Sequence, residues 1–338
     1  MSVVVIVLTS RLILAPNVCV LGFERHLSFF AIVLRRFRHV YLIIDSNPLA
    51  KSLFMRPTKH LLSLGLIVTT SVSAFLAPAS AQTPAVESVN LDYQVAAVLY
   101  QQKAAEYRAL AYQAFNLARL RLDADLEKKN VKKLPKAERK RPRAIVVDID
   151  ETVLDNSPAQ AFGIKNSAAF NLKDWYAWGE MRKAKALPGS VEFLNYAVSK
   201  GVKIFYVTNR DEVQKAATIE NLKKVGFSDI SVENVLLRIK DDQGNNISTK
   251  TPRRDLVSKK YRIVMLMGDN LDDFSDVFER KSIADRFAET DKVKNDWGKR
   301  WIVLPNAMYG TWENAVYEYG RLTEAQKAEK RAAALELP

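Results

Sequence analysis

The sequence is short of the two residue types that most often act as nucleophiles, acid–base groups and soft metal ligands. It contains one cysteine, Cys19, and three histidines, His26, His39 and His60, and all four precede residue 82. The part from residue 82 onwards therefore has no thiolate or imidazole catalysis, no Ser-His-Asp triad, no disulfide and no zinc site of the usual ligands. A metal ion in that part must be a hard cation with oxygen ligands.

A stretch without charge lies between residues 61 and 77. Two basic residues, Arg56 and Lys59, precede it, and the small residues 79–81 follow it. This three-part arrangement predicts a cleavable secretory signal over residues 55–81. A membrane anchor is the alternative, but the run is short for a bilayer span of about 20 residues and the small-residue site favours cleavage.

Residues 1–54 have no evident use ahead of such a signal, so we interpret them as an upstream extension from a misassigned start site. Residues 1–81 contain eight Lys or Arg and two Asp or Glu, so they carry +6 of the net charge of +13 and leave +7 on residues 82–338. We treat residues 82–338 as the working domain. Its lack of cysteine suits an oxidising compartment.

No proline or glycine interrupts residues 93–127, which are rich in Ala, Leu, Gln and Arg. This composition predicts one or two long helices. The basic run 132–143 follows and is broken by Pro135 and Pro142. A patch for nucleic acid or a membrane surface is one interpretation, but no stacking aromatics are interleaved with the charges, which favours a solvated linker.

Beyond this linker, apolar runs of strand length alternate with helical patterns. The helical patterns end at Gly201 and Gly226, and Asp211 is the expected cap of the second. The alternation predicts an α/β fold, a Rossmann-like parallel sheet with helices on both faces. Residues 156–187 are too long for an ordinary loop and predict a small cap insertion. The apolar runs are Ala144–Val147, Val202–Val207, Ile263–Met267 and Trp301–Leu304.

Polar side chains follow each of the four predicted strands. Because the carboxyl ends of parallel strands share one edge of a sheet, we expect a single site there. Helix capping is the alternative for each residue taken singly. Clustered carboxylates repel one another, however, and indicate a compensating cation. The strand ends read Asp148-x-Asp150-x-Thr152, Thr208-Asn209-Arg210, Gly268-Asp269-x-x-x-Asp273 and Pro305-Asn306.

The order of these motifs resembles the haloacid dehalogenase-like phosphohydrolase superfamily and, within it, the class C acid phosphatases, the lipoprotein e type of 5'-nucleotidase. The resemblance runs from about Tyr100 to Trp312 and includes "EYRALAYQAFN", "DWYAW", "LPGSVEFLNYAVSKG", "VTNR", "GDNLDDF" and "LPNAMYGTWE". The relatives that gave the type its name are lipid-anchored through a cysteine at the cleavage site, whereas no cysteine lies near Ala81. We therefore expect a soluble periplasmic or secreted enzyme with no stable membrane anchor.

The resemblance implies a role for each acidic residue. Asp148 resembles the nucleophile that forms an aspartyl-phosphate, and Asp150 resembles the general acid and base. The resemblance also implies one Mg²⁺, held by Asp148, the main-chain carbonyl of Asp150 and Asp269. Asp273 would order the water molecules of that ion.

The phosphoryl oxygens of a substrate need donors or positive charge beside these carboxylates. The resemblance assigns Thr208 and the amide of Asn209 as donors and Lys250 as the positive charge. Arg253 and Arg254 are alternatives for the cation. An ordinary exposed lysine is the alternative interpretation of Lys250.

Two aromatic residues are candidates for substrate binding. Trp175 lies in the cap insertion and Tyr309 follows the fourth strand. The resemblance implies that these rings sandwich the base of a nucleoside monophosphate, since stacking tolerates any base. Packing within the cap and core is the alternative, and it is the interpretation that we favour for Trp178 and Trp312.

The sequence thus predicts a Mg²⁺-dependent acid phosphatase that hydrolyses phosphomonoesters, foremost nucleoside 5'-monophosphates. One alternative is a phosphatase or phosphotransferase of the same superfamily with other phosphomonoester substrates. The other is a non-catalytic basic protein that binds anionic polymers, which the acidic residues argue against, so no nucleic acid polymer is expected as a partner. A homodimer is considered for its assembly.

Overall fold

A computed structural model of the protein describes residues 90–338 and, ahead of them, the backbone of three strands. These strands, β1 (Val20–Gly22), β2 (Phe30–Arg36) and β3 (His39–Asp45), form an antiparallel sheet in sequence order. They belong to a first compact unit, Met1–Ala85, and the rest of the chain forms a second unit, Val86–Pro338. The predicted signal, residues 55–81, and the remainder of residues 1–54 lie outside the described residues.

The second unit alternates strands with helices along the chain. Its strands are β4 (Arg143–Val147), β5 (Leu154–Asp155), β6 (Lys185–Ala186), β7 (Lys203–Val207), β8 (Val235–Leu236), β9 (Ile239–Lys240), β10 (Asn246–Ile247), β11 (Arg262–Gly268) and β12 (Trp301–Val303). Its helices are α1 (Val95–Lys103), α2 (Ala105–Leu126), α3 (Lys128–Val131), α4 (Lys136–Arg139), α5 (Ser157–Lys165), α6 (Leu172–Met181), α7 (Ser190–Ser199), α8 (Lys215–Lys224), α9 (Thr251–Lys260), α10 (Ile283–Lys292), α11 (Thr311–Val316) and α12 (Glu324–Ala333). Short 3₁₀ turns occur at Asp92–Gln94, Glu212–Gln214, Leu271–Asp273 and Asp276–Phe278.

Five parallel strands form the central sheet, in the order β12-β11-β4-β7-β8. The four apolar runs supply β4, β7, β11 and β12, so the predicted parallel α/β sheet is confirmed. The fifth strand, β8, was not predicted, because only two residues of the mixed segment around it pair with β7. Strand β4 lies at the centre, which explains why four of its five residues are buried.

Side chains alternate between the two faces of β4. Ile145 belongs to the same apolar cluster as Phe115 of α2, and α2 packs against α7 on that face. Val146 belongs to the opposite cluster with Val257 of α9. Helices therefore cover both faces of the sheet, as a parallel sheet requires.

The predicted N-terminal helical region forms two helices. Helix α1 ends at Lys103, and α2 begins at Ala105 after the extended residue Ala104. The basic run that follows is largely exposed, as expected of a linker, although Pro135 begins the single turn of α4. Arg141 ties the end of this run to the main chain by donating a hydrogen bond of 2.7 Å to the carbonyl of Tyr261.

The insertion at residues 156–187 contains α5 and α6. Strands β5 and β6 pair antiparallel at its base, with Leu154 opposite Ala186. This pairing starts two residues after Thr152, so the cap leaves the sheet at its carboxyl edge. None of the helices in the described part of the chain joins the length and the hydrophobicity that crossing a bilayer requires.

Candidate active site

The polar strand ends meet at the carboxyl edge of the sheet. The amide of Asp148 donates to the carbonyl of Met267 at 2.9 Å, which continues the pairing of β4 with β11 beyond the last strand residue. The amide of Thr208 donates in the same way to the carbonyl of Leu236 at 3.0 Å. Asp148 and Thr208, the first site residues after β4 and β7, are therefore held by main-chain bonds that extend the sheet.

Three carboxylates converge at this edge. Each of Asp148, Asp269 and Asp273 offers an oxygen, and these oxygens lie within 4.8 Å of one another. Gly268 permits the close approach, because a Cβ at that position would lie 2.2 Å from Oδ2 of Asp273. The sequence prediction that these residues form one group agrees with this geometry.

Lys250 is buried among these carboxylates, with only 6% of its surface exposed. Its ammonium nitrogen contacts Oδ1 of Asp148 and lies 2.6 Å from Oδ1 of Asp273. Burial alone would lower the pKa of this lysine, but the charges of Asp148 and Asp273 outweigh burial and raise the pKa. The alternative of an ordinary exposed lysine is wrong.

Burial has the largest effect on the pKa values of Asp148 and Asp269. It raises the pKa of Asp148 to about 7, against the opposing effect of Lys250. Burial, together with the negative charges of Asp273 and Asp148, raises the pKa of Asp269 well above its usual value. The three carboxylates can carry more negative charge than one lysine neutralises. A further cation would reduce the repulsion between them.

Thr152 and Asn306 form hydrogen bonds with the carboxylate of Asp269. The hydroxyl of Thr152 lies 3.3 Å from Oδ2 of Asp148 and 3.2 Å from Oδ1 of Asp269. The side-chain amide of Asn306, after β12, donates to Oδ2 of Asp269 at 2.8 Å. The last residue of the D-x-D-x-T motif thus links the first and third strand ends.

Asp150 points away from this group, towards Arg210. Nε and Nη2 of Arg210 lie 3.0 and 2.7 Å from Oδ1 of Asp150. The side-chain amide of Asn156 donates to the same oxygen at 2.8 Å, and the hydroxyl of Thr208 lies 3.2 Å from Oδ2. Burial alone would lower the pKa of Arg210, but Asp150 reverses that effect and raises it.

Glu151 lies between the two candidate catalytic residues and the cap. Its φ of +57° turns the chain immediately after Asp150. Its carboxyl is fully buried and accepts a hydrogen bond of 2.6 Å from the main-chain amide of Asn156. Burial, with the negative charge of Asp150 nearby, raises the pKa of Glu151 well above its usual value.

The two arginines after Lys250 hold the neighbouring loops and do not reach the carboxylate group. Arg253 donates to the carbonyl of Thr208 and, at 2.7 Å, to the side-chain oxygen of Asn209. Arg254 donates to the main-chain carbonyl of Asp273 at 2.8 Å. Of the three basic residues that the sequence left open, Lys250 is therefore the one whose charge lies beside Asp148.

The two predicted substrate-binding aromatics, Trp175 and Tyr309, are half-buried. The ring of Trp175, on α6, lies 5.4 Å from Cζ of Arg210 and 6.3 Å from the ring of Phe170. Tyr309 lies on the loop after β12, three residues beyond Asn306. The structure thus places both on segments that border the site.

Two aromatics predicted to serve packing behave differently from each other. Trp178 packs against the main core cluster, as predicted, and its indole nitrogen also donates to Oδ1 of Asn156 at 2.8 Å. Trp312 is 45% exposed, so the prediction that it packs in the core is not supported. It lies near the start of α11, a helix of only six residues.

Asp211 is not the helix cap that the sequence predicted. It occupies the position before the turn Glu212–Gln214, but its side chain makes no capping bond. Its carboxylate instead accepts from the hydroxyl of Tyr176, on α6, at 2.6 Å and from Nη2 of Arg238 at 2.6 Å. The ion pair with Arg238 holds the carboxylate of Asp211 away from the amides of the turn.

Sequence reasoning gave Arg210 no role, missed Asn156 and considered Arg253 only as an alternative for the cation. Arg210 directly follows Thr208 and Asn209, so its place in the second motif was a usable signal. Asn156 and Arg253 act through contacts that bring together distant segments, which spacing along the chain does not reveal.

This combination of a parallel sheet, clustered carboxylates and a buried lysine matches a known family. A model of the HAD superfamily, subfamily IIIB (acid phosphatase), matches residues 60–312. The chain belongs to this family. The predicted resemblance to the haloacid dehalogenase-like acid phosphatases is confirmed, and with it the enzyme class, phosphoric monoester hydrolase.

Solved structures agree with this assignment. The chain is 41% identical to the class C acid phosphatase from Bacillus anthracis, with a TM-score of 0.65, over 73% of this chain and 98% of that one. A structure of the same phosphatase with tungstate bound gives 41% identity and a TM-score of 0.66, over 74% and 99% of the two chains. The predicted fold is confirmed by these matches.

Curated relatives match over a shorter region. Acid phosphatase 1 of Solanum lycopersicum is 33% identical over 130 residues, which are 38% of this chain and 50% of the relative. The stem 28 kDa glycoprotein of Glycine max is 34% identical over 134 residues, which are 38% and 51% of the two chains. The chain spans about half the length of these curated relatives.

Proposed function

We propose that the protein is a Mg²⁺-dependent acid phosphatase that hydrolyses nucleoside 5'-monophosphates through an aspartyl-phosphate on Asp148. The observation that carries this proposal is the buried carboxylate of Asp148 beside Lys250, with oxygens of Asp269 and Asp273 within 4.8 Å. This group lies at the carboxyl edge of a parallel sheet, where such folds bind ligands.

The residues present fit a magnesium ion. Residues 90–338 contain no histidine or cysteine, and the converging ligands are carboxylate oxygens, which suit a hard cation. We assign Asp148, the main-chain carbonyl of Asp150 and Asp269 as its ligands. Both oxygens of Asp273 have partners, Lys250 at 2.6 Å and the amide of Asn270 at 3.0 Å, which supports an indirect role in ordering water. When bound, the ion would offset the negative charge of the phosphoryl oxygens.

The first chemical step forms a phosphoenzyme. A carboxylate oxygen of Asp148 attacks phosphorus, and the bond between phosphorus and the leaving oxygen breaks. The carboxylic acid of Asp150 gives its proton to that oxygen, so the product leaves as an alcohol. Lys250 stays beside Asp148 and holds its attacking carboxylate in place.

The second step regenerates the enzyme. A water molecule attacks the phosphorus of the aspartyl-phosphate, and Asp150, now ionised, accepts its proton. The bond between phosphorus and the Asp148 oxygen breaks, and inorganic phosphate leaves. The hydroxyl of Thr208, the amide of Asn209 and the ammonium of Lys250 supply the donors for the phosphoryl oxygens. The tungstate in the related structure supports an oxyanion site, since tungstate and phosphate are both tetrahedral oxyanions.

Trp175 and Tyr309 are the proposed binding residues for the base. Both are half-buried on segments that border the carboxylate group. Stacking against a base contributes about 1–3 kcal/mol and does not depend on which base is present. The competing interpretation, packing alone, has one observation in its favour, because the ring of Trp175 already lies against Arg210.

A periplasmic or secreted location completes the proposal. It rests on the signal-like residues 55–81, and the names of the Glycine max relatives, which call them glycoproteins, are compatible with secretion. A homodimer stays a prediction that light scattering of the purified chain would check. A phosphotransferase, or a phosphatase for other esters, remains the alternative function.

Hydrolysis of a panel of phosphomonoesters by the purified protein tests the proposal. The panel comprises several nucleoside 5'-monophosphates, a sugar phosphate and p-nitrophenyl phosphate, each with Mg²⁺ and with excess EDTA. We expect Mg²⁺-dependent release of phosphate, with the highest kcat/KM for the nucleotides. Equal kcat/KM across the panel would refute the nucleotide preference, and no hydrolysis of any ester would refute the phosphatase.

A further inference from the structure

Arg210 is a buried charged residue that the two chemical steps leave without a role. It follows Asn209 at the end of β7, and only 2% of its side chain is exposed. Its guanidinium grips one carboxylate from two nitrogens, since Nε and Nη2 lie 3.0 and 2.7 Å from Oδ1 of Asp150. Two hydrogen bonds from one guanidinium fix the orientation of a carboxylate as well as stabilising its negative charge.

The contacts of Asp150 divide its two oxygens. Oδ1 accepts from Nε and Nη2 of Arg210 and from the side-chain amide of Asn156 at 2.8 Å. Oδ2 has longer contacts, 3.2 Å from the hydroxyl of Thr208 and 3.2 Å from Nε of Arg210. Oδ2 is thus the oxygen with capacity to exchange a proton with a leaving group or a water molecule.

Arg210 is itself held in place from two sides. Its third nitrogen, Nη1, donates to the hydroxyl of Thr218, on α8, at 3.1 Å. The ring of Trp175, on the cap, lies 5.4 Å from Cζ. Its own main-chain amide donates to the hydroxyl of Thr208 at 3.2 Å, which helps to fix the loop that carries it.

We propose that Arg210 is a positioning residue that orients the carboxyl group of Asp150, so that Oδ2 delivers the proton to the leaving oxygen. The proposal rests on the proposed function, because it needs Asp150 as the general acid. It predicts that replacing Arg210 slows hydrolysis more when the leaving group needs a proton in order to depart. A nitrophenolate departs without a proton, whereas an alkoxide must be protonated as it departs.

The test compares Arg210→Lys with the unmodified enzyme on esters that differ in their leaving group. Lysine keeps the positive charge but cannot bind one carboxylate from two fixed nitrogens. The value of kcat/KM reports the steps up to release of the leaving group. We expect kcat/KM to fall less than about threefold for p-nitrophenyl phosphate and about 30-fold or more for a simple alkyl phosphate, which is part of the roughly 100- to 10,000-fold that general acid catalysis contributes.

Arg262→Lys is the matched control. Arg262 starts β11 at the opposite edge of the sheet, and it too grips one carboxylate from two nitrogens, each 2.7 Å from an oxygen of Asp125. Its replacement disturbs a half-buried ion pair without touching Asp150, so any loss of activity should be equal for the two esters. If Arg210→Lys does not fold, Thr218→Val, which removes only the partner of Nη1, should show the same split at smaller size.

Equal losses on both esters, or an unchanged rate with the alkyl phosphate, would overturn the role of Arg210. Neither result would refute the proposed phosphatase activity, because the activity of the unmodified enzyme is measured in the same experiment. Failure of the unmodified protein to hydrolyse either ester would instead refute the proposed function.

Discussion

The ammonium nitrogen of Lys250 lies 2.6 Å from Oδ1 of Asp273, and it contacts Asp148 from the same buried position. One cation therefore joins the candidate nucleophile to the loop after β11. Its removal would leave buried carboxylates without their protein partner, which costs several kcal/mol unless they take up protons.

Lys250→Ala should lower kcat by about 100-fold or more, because a group that stabilises phosphoryl charge in a buried site contributes at that scale. Phosphate release under saturating Mg²⁺ is the measurement. Lys259→Ala, which alters an exposed lysine on α9, the helix that follows Lys250, is the control and should keep the unmodified rate. A kcat for Lys250→Ala within twofold of normal would contradict the assignment.

Chelation should abolish activity, and Mg²⁺ should restore it. Asp269→Ala should raise the Mg²⁺ concentration needed for half-maximal activity or eliminate activity, because it removes one of the proposed ligands. Titration of Mg²⁺ into the EDTA-treated enzyme measures this, with Asp255→Ala, an exposed residue of α9, as the control. Elemental analysis should find no intrinsic zinc. Full activity after thorough chelation would refute the metal requirement.

Tyr309→Ala should raise KM for nucleoside monophosphates by about tenfold while barely changing kcat/KM for a small aryl phosphate, since base stacking acts on the leaving group and not on the phosphoryl group. Trp175→Ala should raise the same KM. Because the ring of Trp175 also lies against Arg210, its removal should lower kcat as well, so Tyr309 is the cleaner probe. Equal effects on both substrates would show that stacking is not the role of Tyr309.

The network around Asp125 makes stability depend on pH. Burial alone would raise the pKa of this carboxyl, but Arg262 and Arg143 outweigh burial and hold the pKa below its usual value. A lowered pKa in the folded state means that the contribution to stability is present above the unfolded value of about 3.9 and is lost as the pH falls through the folded value.

Asp125→Asn should therefore reduce the free energy of unfolding by about 1–3 kcal/mol at pH 7, the scale of hydrogen bonds to a charged group. The difference from the unmodified protein should shrink below about pH 4. Urea unfolding at several pH values measures it, with Asp242→Asn, an exposed loop residue, as the control. A difference that stays constant with pH would rule out the ion pairs as its source.

Much of the fold was accessible from the sequence because its signals are local. Apolar runs such as Ala144–Val147 define strands, and glycine at Gly201 follows the end of a helix with a φ of +75°. The two-residue strand β8 carries no such signal, since its pairing depends on its neighbour β7. Local pattern also misled at Asp211, whose long-range partner Arg238 overrides a capping preference.

The candidate site was predictable where the chemistry is written along the chain. Asp148, Asp150 and Asp269 follow strands that must share one edge of the sheet. Arg210 stood in the second motif without an assigned role, and Asn156 was not predicted, because the side chain of Asn156 meets Arg210 and Trp178 only in the folded structure. Such contacts depend on three-dimensional packing and leave no periodic trace.

Trapping of the phosphoenzyme tests the central claim most directly. The leaving group of p-nitrophenyl phosphate needs no proton, so the Asp150→Asn variant should still transfer phosphate from this ester to Asp148. The phosphoenzyme should then persist, because no base activates water. Acid quenching, digestion and mass spectrometry of that variant should find one phosphorylated peptide, with the phosphate on Asp148, and Asp148→Asn should show neither the adduct nor turnover. A phosphate on any other residue, or an adduct that clears at the normal rate of turnover, would contradict the account.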